Sequence, residues 1–232
     1  MNDRFTPSGS RNIHTRVKTA KGRKKSSTLW LQRQLNDPYV KRAKQEGYRS
    51  RAAYKLAEMD DKLHVLKPGM HVVDLGAAPG GWLQVAAQRT QSAEGSGSVI
   101  VGIDLLDIDT VPGTCFLQGD FMSDDAPEKL RAQMNADGAD IVLSDMAPNA
   151  SGHPQTDHLR IMMLCEAAFD FACEVLRPEG VFIAKTLQGG TENALLARMK
   201  QSFKVVKHMK PRASRADSAE MYVVATGFKG NV

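Results

Sequence analysis

With 232 residues, 42% of them hydrophobic and 25% charged, the chain is long enough to bury one sizeable core and has the balance of an ordinary globular domain. It has no run of about 18 apolar residues and no apolar h-region near its start, which argues against a membrane span and against secretion. Its three cysteines (Cys115, Cys165, Cys173) never fall at CxxC spacing, and the nearest histidines (His153, His158) lack a third ligand. Neither a disulfide framework nor a metal site is expected, and a reduced, cytoplasmic chain is.

The net charge of +5 conceals a division. Residues 1–55 carry 15 Lys/Arg against Asp3, Asp37 and Glu46, a net of +12; the remaining 177 residues carry 16 against 23, a net of −7. A basic quarter on an acidic body points to a polyanionic partner.

Residues 1–26 are polar, basic and poor in apolar side chains, so they read as a flexible arm; an organellar presequence is the alternative. Asp37-Pro38 and Gly47 have the pattern of N-cap, first-turn proline and C-terminal glycine around a short basic helix. Ser50 is placed to cap a second helix carrying Tyr54, Lys55, Met59 and Leu63, and Lys67-Pro68-Gly69 breaks the chain. Strands and helices then alternate. Strands are expected at 71–75, 98–104, around 115–117, at 140–145 and at 180–187, with helices at 80–89, near 126–135, at 158–176 and at 191–203. Two strands, KVVKHMK and MYVVATGF, close the chain without a helix between them.

Near-continuous Val/Ile/Leu strands separated by helices predict an α/β fold. Its sheet has seven strands, mostly parallel, with helices on both faces, and the terminal hairpin makes one strand antiparallel. The organisation expected is a single domain over 27–232, with basic helices in 27–66 and the sheet in 67–232.

Val72 to Trp82 (VVDLGAAPGGW) is a strand, a tight turn of small residues and a helix start, where ligands of open α/β sheets bind. The spacing is not G-x-G-x-x-G, and Pro79 removes one of the amides a dinucleotide pyrophosphate needs, which weighs against a nicotinamide cofactor. Asp74 is placed to attract a cationic group, Asp104 to meet ribose hydroxyls and Asp120 to receive an adenine amino group. Four further polar residues stand where a buried sheet does not need them: Lys55, Asp145 in LSDMAPN, Lys185 inside VFIAKTL and Glu220 in SRADSAEMY. A lysine within an apolar strand is costly unless paired.

Together these motifs (RSRAAYKL, VVDLGAAPGGW, LQGDF, SDMAPN, the AK of VFIAKTLQG and SRADSAEMYVVATG) resemble, in order, those of the FtsJ/RlmE-type RNA ribose 2′-O-methyltransferases, over roughly residues 28–228. The resemblance implies a Rossmann-like class I methyltransferase using S-adenosyl-L-methionine. It implies a catalytic tetrad of Lys55, Asp145, Lys185 and Glu220, and a cofactor set of Gly80, Trp82, Asp104, Asp120 and Asp145.

A ribose hydroxyl must lose its proton as it attacks an activated methyl, which suits a general base near the working pH. Lys185 is the expected base, its pKa lowered by burial and by Lys55, with Asp145 and Glu220 orienting. Lys41, Arg42, Arg49 and Arg51 on one side, and Arg212 and Arg215 on the other, are expected to hold RNA phosphates. The bacterial branch of the family implies a uridine of 23S ribosomal RNA as substrate, on the assembled or assembling large subunit, and a monomeric enzyme. A transfer-RNA methyltransferase and a non-catalytic ribosome-assembly factor are the alternatives.

Overall fold

The structure is a computed structural model and describes residues 15, 17, 25–134, 137–148, 151–189 and 193–230. Most of the expected arm, residue 135 of the helix expected near 126–135, residues 191–192 of the helix expected at 191–203 and Asn149 of the SDMAPN motif lie outside the described residues.

Three helices precede the sheet: α1 (Lys25–Asn36), α2 (Pro38–Glu46) and α3 (Ala53–Leu63). α2 is bounded as its sequence predicts. Asp37 accepts a bond from the Tyr39 amide, Pro38 occupies the first turn, and Gly47 closes the helix in the left-handed region at φ 77°. α3 departs from expectation. Its N-cap is Ala52, in helical geometry and with no side-chain cap, while the Ser50 hydroxyl is buried and makes no bond to the helix. The sequence does not announce α1 as a separate helix, and it begins at Lys25, inside the expected arm.

The alternating part holds β1 (Val72–Leu75), α4 (Gly81–Thr90), a 3-10 turn at Ser92–Glu94, β2 (Ile100–Asp104), β3 (Cys115–Gln118), α5 (Ala126–Gln133), β4 (Ala139–Ser144), α6 (Pro154–Val175), β5 (Leu176–Leu187), α7 (Asn193–Ser202), β6 (Phe203–Met209) and β7 (Glu220–Phe228). The strands form one sheet in the order β3-β2-β1-β4-β5-β7-β6. β1 pairs in parallel with β2 and β4, β2 with β3, and β4 with β5, whereas β7 is antiparallel to both β5 and β6. The single antiparallel strand matches expectation. Its position is the new information: β7 is inserted between β5 and β6, so it is buried rather than an edge.

Two apolar layers cover the sheet. One lies under α5, α6 and α7, where Phe169, Phe182, Phe203 and Phe228 stack at ring separations of 5.2–6.4 Å. The other lies under α3 and α4, where Leu56, Met59, Leu83, Ile100 and Leu143 are buried. Full burial of side chains of this size contributes about 1.5–3 kcal/mol each. Because α3 belongs to this second layer, its Lys55 is carried to the carboxyl ends of the central strands. Among the described residues no helix is long and apolar enough to cross a membrane, and no group of three or more His, Cys, Asp or Glu could hold a metal ion.

Candidate active site and cofactor cleft

Strand register assembles the four expected polar residues. Lys185 on β5 is paired with Tyr222 on β7, and Leu187 with Glu220, so Glu220 and Tyr222 sit two residues apart on one face, beside Lys185. Asp145 directly follows β4, its amide donating to the Leu75 carbonyl of β1. Lys55 reaches across from the first turn of α3.

The side chains converge tightly. Lys185 Nζ lies 2.7 Å from Asp145 Oδ1 and 3.5 Å from Glu220 Oε2, and it also donates to the Asp145 carbonyl at 3.0 Å. Lys55 Nζ lies 2.7 Å from Glu220 Oε2 and 3.6 Å from Asp145 Oδ2. Two ammonium groups and two carboxylates thus alternate around one small ring, each charge facing its opposite. All four side chains are 10–15% exposed, so water screens these pairs weakly.

Burial would raise the Asp145 and Glu220 pKa values, but the neighbouring ammonium groups outweigh it and hold both carboxyls below their ordinary range. At Lys185, burial works to lower the pKa; Asp145 and Glu220 overcome it, and the net direction is up. The expected depression of Lys185 is therefore absent in the resting site, because the attraction of its two carboxylate partners at 2.7 and 3.5 Å outweighs burial.

Tyr222 is a fifth member, present in the last motif but not singled out by sequence reasoning. It is fully buried, donates its hydroxyl proton to Asp145 Oδ1 at 2.6 Å, accepts from Lys55 Nζ at 3.1 Å, and rests its ring 5.7 Å from that of Trp82. Burial and the adjacent carboxylates push its pKa well up, so it remains a donor. The sequence does hold a signal for it, since residues i and i+2 of a strand share a face. Ser214 is likewise absent from the expected site: its hydroxyl donates to Glu220 Oε1 at 2.7 Å.

Next to this ring, the loop after β4 and the carboxyl ends of β1, β2 and β3 bound a cleft. Gly76, Asp104, Asp120, Phe121, Met146 and Leu164 are among its lining. Gly76 has φ +81°, and a Cβ there would stand 2.8–2.9 Å from Met146, so the turn requires glycine. Asp104 accepts from the amides of Ala78 and Leu106, and Asp120 from that of Met122, each at 2.9 Å. Each aspartate is thus oriented by the backbone at the mouth of an apolar slot, and the donor set suits a nucleoside: carboxylates for ribose hydroxyls and an exocyclic amine, apolar walls for a base.

Gly80 is the N-cap of α4 at φ 101°. The Trp82 indole is buried and donates to the Ala52 carbonyl at 2.8 Å, so what Trp82 can offer a ligand is its amide at the helix N-terminus. Asp74 departs from expectation. Its carboxyl is fully buried, neither oxygen has a partner among the described residues, and burial, followed by the nearby Asp145 and Asp104, raises its pKa well above the ordinary value. Its charged form is disfavoured there.

The expected RNA-facing residues separate into two groups. Lys41, Arg42 and Arg212 are exposed, although Arg42 also pairs with Glu46 at 2.6 Å and lies over the Tyr54 ring. Arg51 and Arg215 both approach Asp37 Oδ2, at 3.1 and 3.4 Å, and Arg51 also donates to the Ala213 carbonyl. Arg49 is engaged by backbone carbonyls. A cleft lined by Arg33, Arg51, Arg215 and Ser218 opens onto Lys55 and Glu220. Arg33 is not among the expected residues because it lies on α1, which the sequence does not announce.

Residues 48–228 match the family described as FtsJ-like methyltransferase. A protein of Parvibaculum lavamentivorans named Ribosomal RNA large subunit methyltransferase E is 60% identical over 228 residues, covering 96% of this chain and 89% of the relative. One of the same name from Azorhizobium caulinodans is 61% identical over 222 residues, covering 96% and 92%. Among solved structures, a ribosomal RNA methyltransferase from Plasmodium falciparum superposes with a TM-score of 0.70 at 33% identity, over 79% of this chain and 100% of the other. With these relatives, the ring of two lysines and two carboxylates and the cleft beside it, the chain belongs to the FtsJ-like methyltransferase family.

Proposed function

We propose that the protein methylates the ribose 2′-hydroxyl of a uridine in 23S ribosomal RNA, acting as a cytoplasmic monomer on the large ribosomal subunit, with residues 27–232 as one catalytic domain. The observation that carries this reading is the convergence of Lys55, Asp145, Lys185 and Glu220, with ion pairs of 2.7–3.6 Å, beside a cleft shaped for a nucleoside. S-adenosyl-L-methionine, when bound, supplies a methyl group already activated on a sulfonium. Asp104 and Asp120 would hold its ribose and adenine, the amides around Gly80 and Trp82 its amino-acid end, and Asp145 would border the reacting methyl.

What remains for the protein is alignment and a proton. Lys55 and Glu220 line the arginine-bounded cleft and would position the ribose. Lys185 is the group that accepts the hydroxyl proton. It is protonated in the resting ring, so it must first release its own proton to solvent, which it would do more readily if Asp145 also faced a cation on its cleft side, because the carboxylate would then stabilise the ammonium less. Tyr222 fixes Asp145 and Lys55 through its hydroxyl. Arg33, Arg212, Arg215, Lys41 and Arg42 would hold phosphates on either side of the target nucleotide.

The test is transfer of labelled methyl to unmodified large subunits, free 23S RNA and transfer RNA, followed by nuclease mapping. Label on a uridine 2′-oxygen of large-subunit RNA is expected. Label confined to transfer RNA would overturn the substrate, and no transfer to any acceptor despite donor binding would overturn catalysis in favour of an assembly role.

A further inference from the structure

We infer that Arg49 is a positioning residue of the donor cleft and not an RNA contact. The inference rests on reading that cleft as the methyl-donor site. The Arg49 guanidinium joins two segments that are distant in sequence. Its Nη1 donates to the carbonyls of Asp109 at 2.6 Å and Pro79 at 3.4 Å, and its Nη2 to that of Thr110 at 2.8 Å. Pro79 belongs to the glycine turn after β1, while Asp109 and Thr110 belong to the loop that leaves β2 at Asp104.

Gly76 of the first segment and Asp104 and Leu105 of the second line the cleft, and among the described residues the two segments are also tied by the Ala78 amide to Asp104 Oδ2 bond. The guanidinium fixes the outer end of the same pair, beyond the reach of Asp104. The fork geometry matters here: three carbonyls on two segments need several N–H groups in one plane, which an ammonium on a single stem cannot offer together.

Two independent features show that the site is built for this arginine. A Cβ on Gly80 would stand 2.8 Å from Arg49 Nη1 and 3.1 Å from its Cδ, so the glycine clears the path along which the side chain lies. The Arg49 backbone is held in turn by Gln84 of α4, whose Oε1 accepts the Arg49 amide at 2.8 Å while its Nε2 donates to the Gly47 carbonyl at 3.0 Å. The helix whose N-terminus faces the cleft thereby fixes the residue that fixes the cleft. With its guanidinium turned onto these carbonyls, Arg49 is not disposed to neutralise a phosphate.

The experiment compares the full chain with its Arg49→Ala and Arg49→Lys variants. Binding of S-adenosylmethionine and of its demethylated product is measured by calorimetry, hydrogen exchange is followed across residues 105–111, and the salt dependence of binding to a 23S RNA fragment is recorded. Both variants are expected to bind the donor at least about tenfold more weakly, a loss of roughly 1.4 kcal/mol or more, with faster exchange in 105–111 and an unchanged RNA salt slope.

The lysine variant carries the decision, and does so even if the alanine variant fails to fold. A phosphate contact would largely survive the change, whereas the carbonyl clamp would not. Donor affinity within about twofold of the parent in Arg49→Lys would overturn the inference, as would a salt slope shallower by about one in Arg49→Ala with donor affinity intact. If the unaltered protein bound no donor, the reading of the cleft itself would fall, an outcome distinct from either.

Discussion

Lys185 and Glu220 stand 3.5 Å apart, so each sets the other's proton affinity. Removing the carboxylate while keeping its shape, by Glu220→Gln, takes a stabilising negative charge from beside the Lys185 ammonium and lowers its pKa. The rising limb of the kcat–pH profile is therefore expected to move to lower pH, even if the maximum rate falls through poorer positioning of Lys55; an unmoved limb would exclude Lys185 as the titrating base. Lys185→Ala, which removes the proposed base, is expected to lower kcat by roughly 10²–10⁴-fold with donor affinity retained. Asp74 behaves in the opposite sense to the ring carboxylates. Its folded pKa lies above the unfolded value, so the cost of burying it is absent at low pH and grows as pH rises above the ordinary carboxylate range. Asp74→Asn cannot ionise and escapes that cost. Its gain in Tm over the parent should be larger at pH 8 than at pH 5, with each kcal/mol worth about 2–4 °C in a chain of this size. Equal gains at both pH values would show that the carboxyl is not titrating as its burial requires.

Asp37 joins α2, the turn before α3 and the loop before β7, since it caps α2 through the Tyr39 amide and also neutralises Arg51 and Arg215. Substitution by alanine removes the cap, worth about 1 kcal/mol, and leaves two guanidinium groups facing each other without their counter-charge. Asp37→Asn keeps the capping oxygen and loses only the charge. Urea melts are expected to rank the parent above Asn and Asn above Ala, the last step being about 1 kcal/mol; equal losses in the two variants would mean that the cap contributes nothing. α2 is legible in the sequence because its start and stop signals are local: an Asx cap, a first-turn proline and a glycine that must adopt positive φ. α3 is legible from its apolar spacing, but its cap is not, because the chain enters it through a turn at 50–52 already close to helical, leaving the Ser50 hydroxyl buried against Gly81. α1 gives little signal: among its described side chains, Leu29 and Leu35 remain 56% and 41% exposed. The insertion of β7 between β5 and β6 is illegible for another reason: strand neighbours depend on long-range pairing that alternation along the chain does not encode. The tetrad is readable from order and residue type, whereas the net sign of the Lys185 shift depends on distances of 2.7 and 3.5 Å that only the fold supplies.

On the scale of the molecule, the uneven charge gives the protein a direction. Basic residues of α1 and of the turn before α3, Arg33 and Arg51, border the cleft that opens on Lys55 and Glu220, while the α5–α7 side carries ion pairs such as Arg198 with Glu166 and Asp170. A polyanion approaching such a surface is drawn toward the reacting ring and repelled from the acidic body, raising the rate of productive encounter. Residues 1–24 hold seven Lys/Arg against Asp3. Within this segment Thr15 is tied to the end of α1, its amide donating to Asn36 Oδ1 at 2.8 Å and its carbonyl accepting from Asn36 Nδ2 at 3.0 Å. If the arm neutralises RNA phosphates, deleting residues 1–24 should leave kcat at saturating RNA unchanged while raising KM for RNA. The slope of log K against log salt should become shallower by roughly 0.7–0.9 for each phosphate that the arm had neutralised. An unchanged slope would assign phosphate binding to the folded rim around Arg33, Arg212 and Arg215 alone. A fall in kcat would instead show that the arm, through Thr15 and Asn36, helps to hold α1 and the Asp37 junction in the arrangement that shapes the cleft.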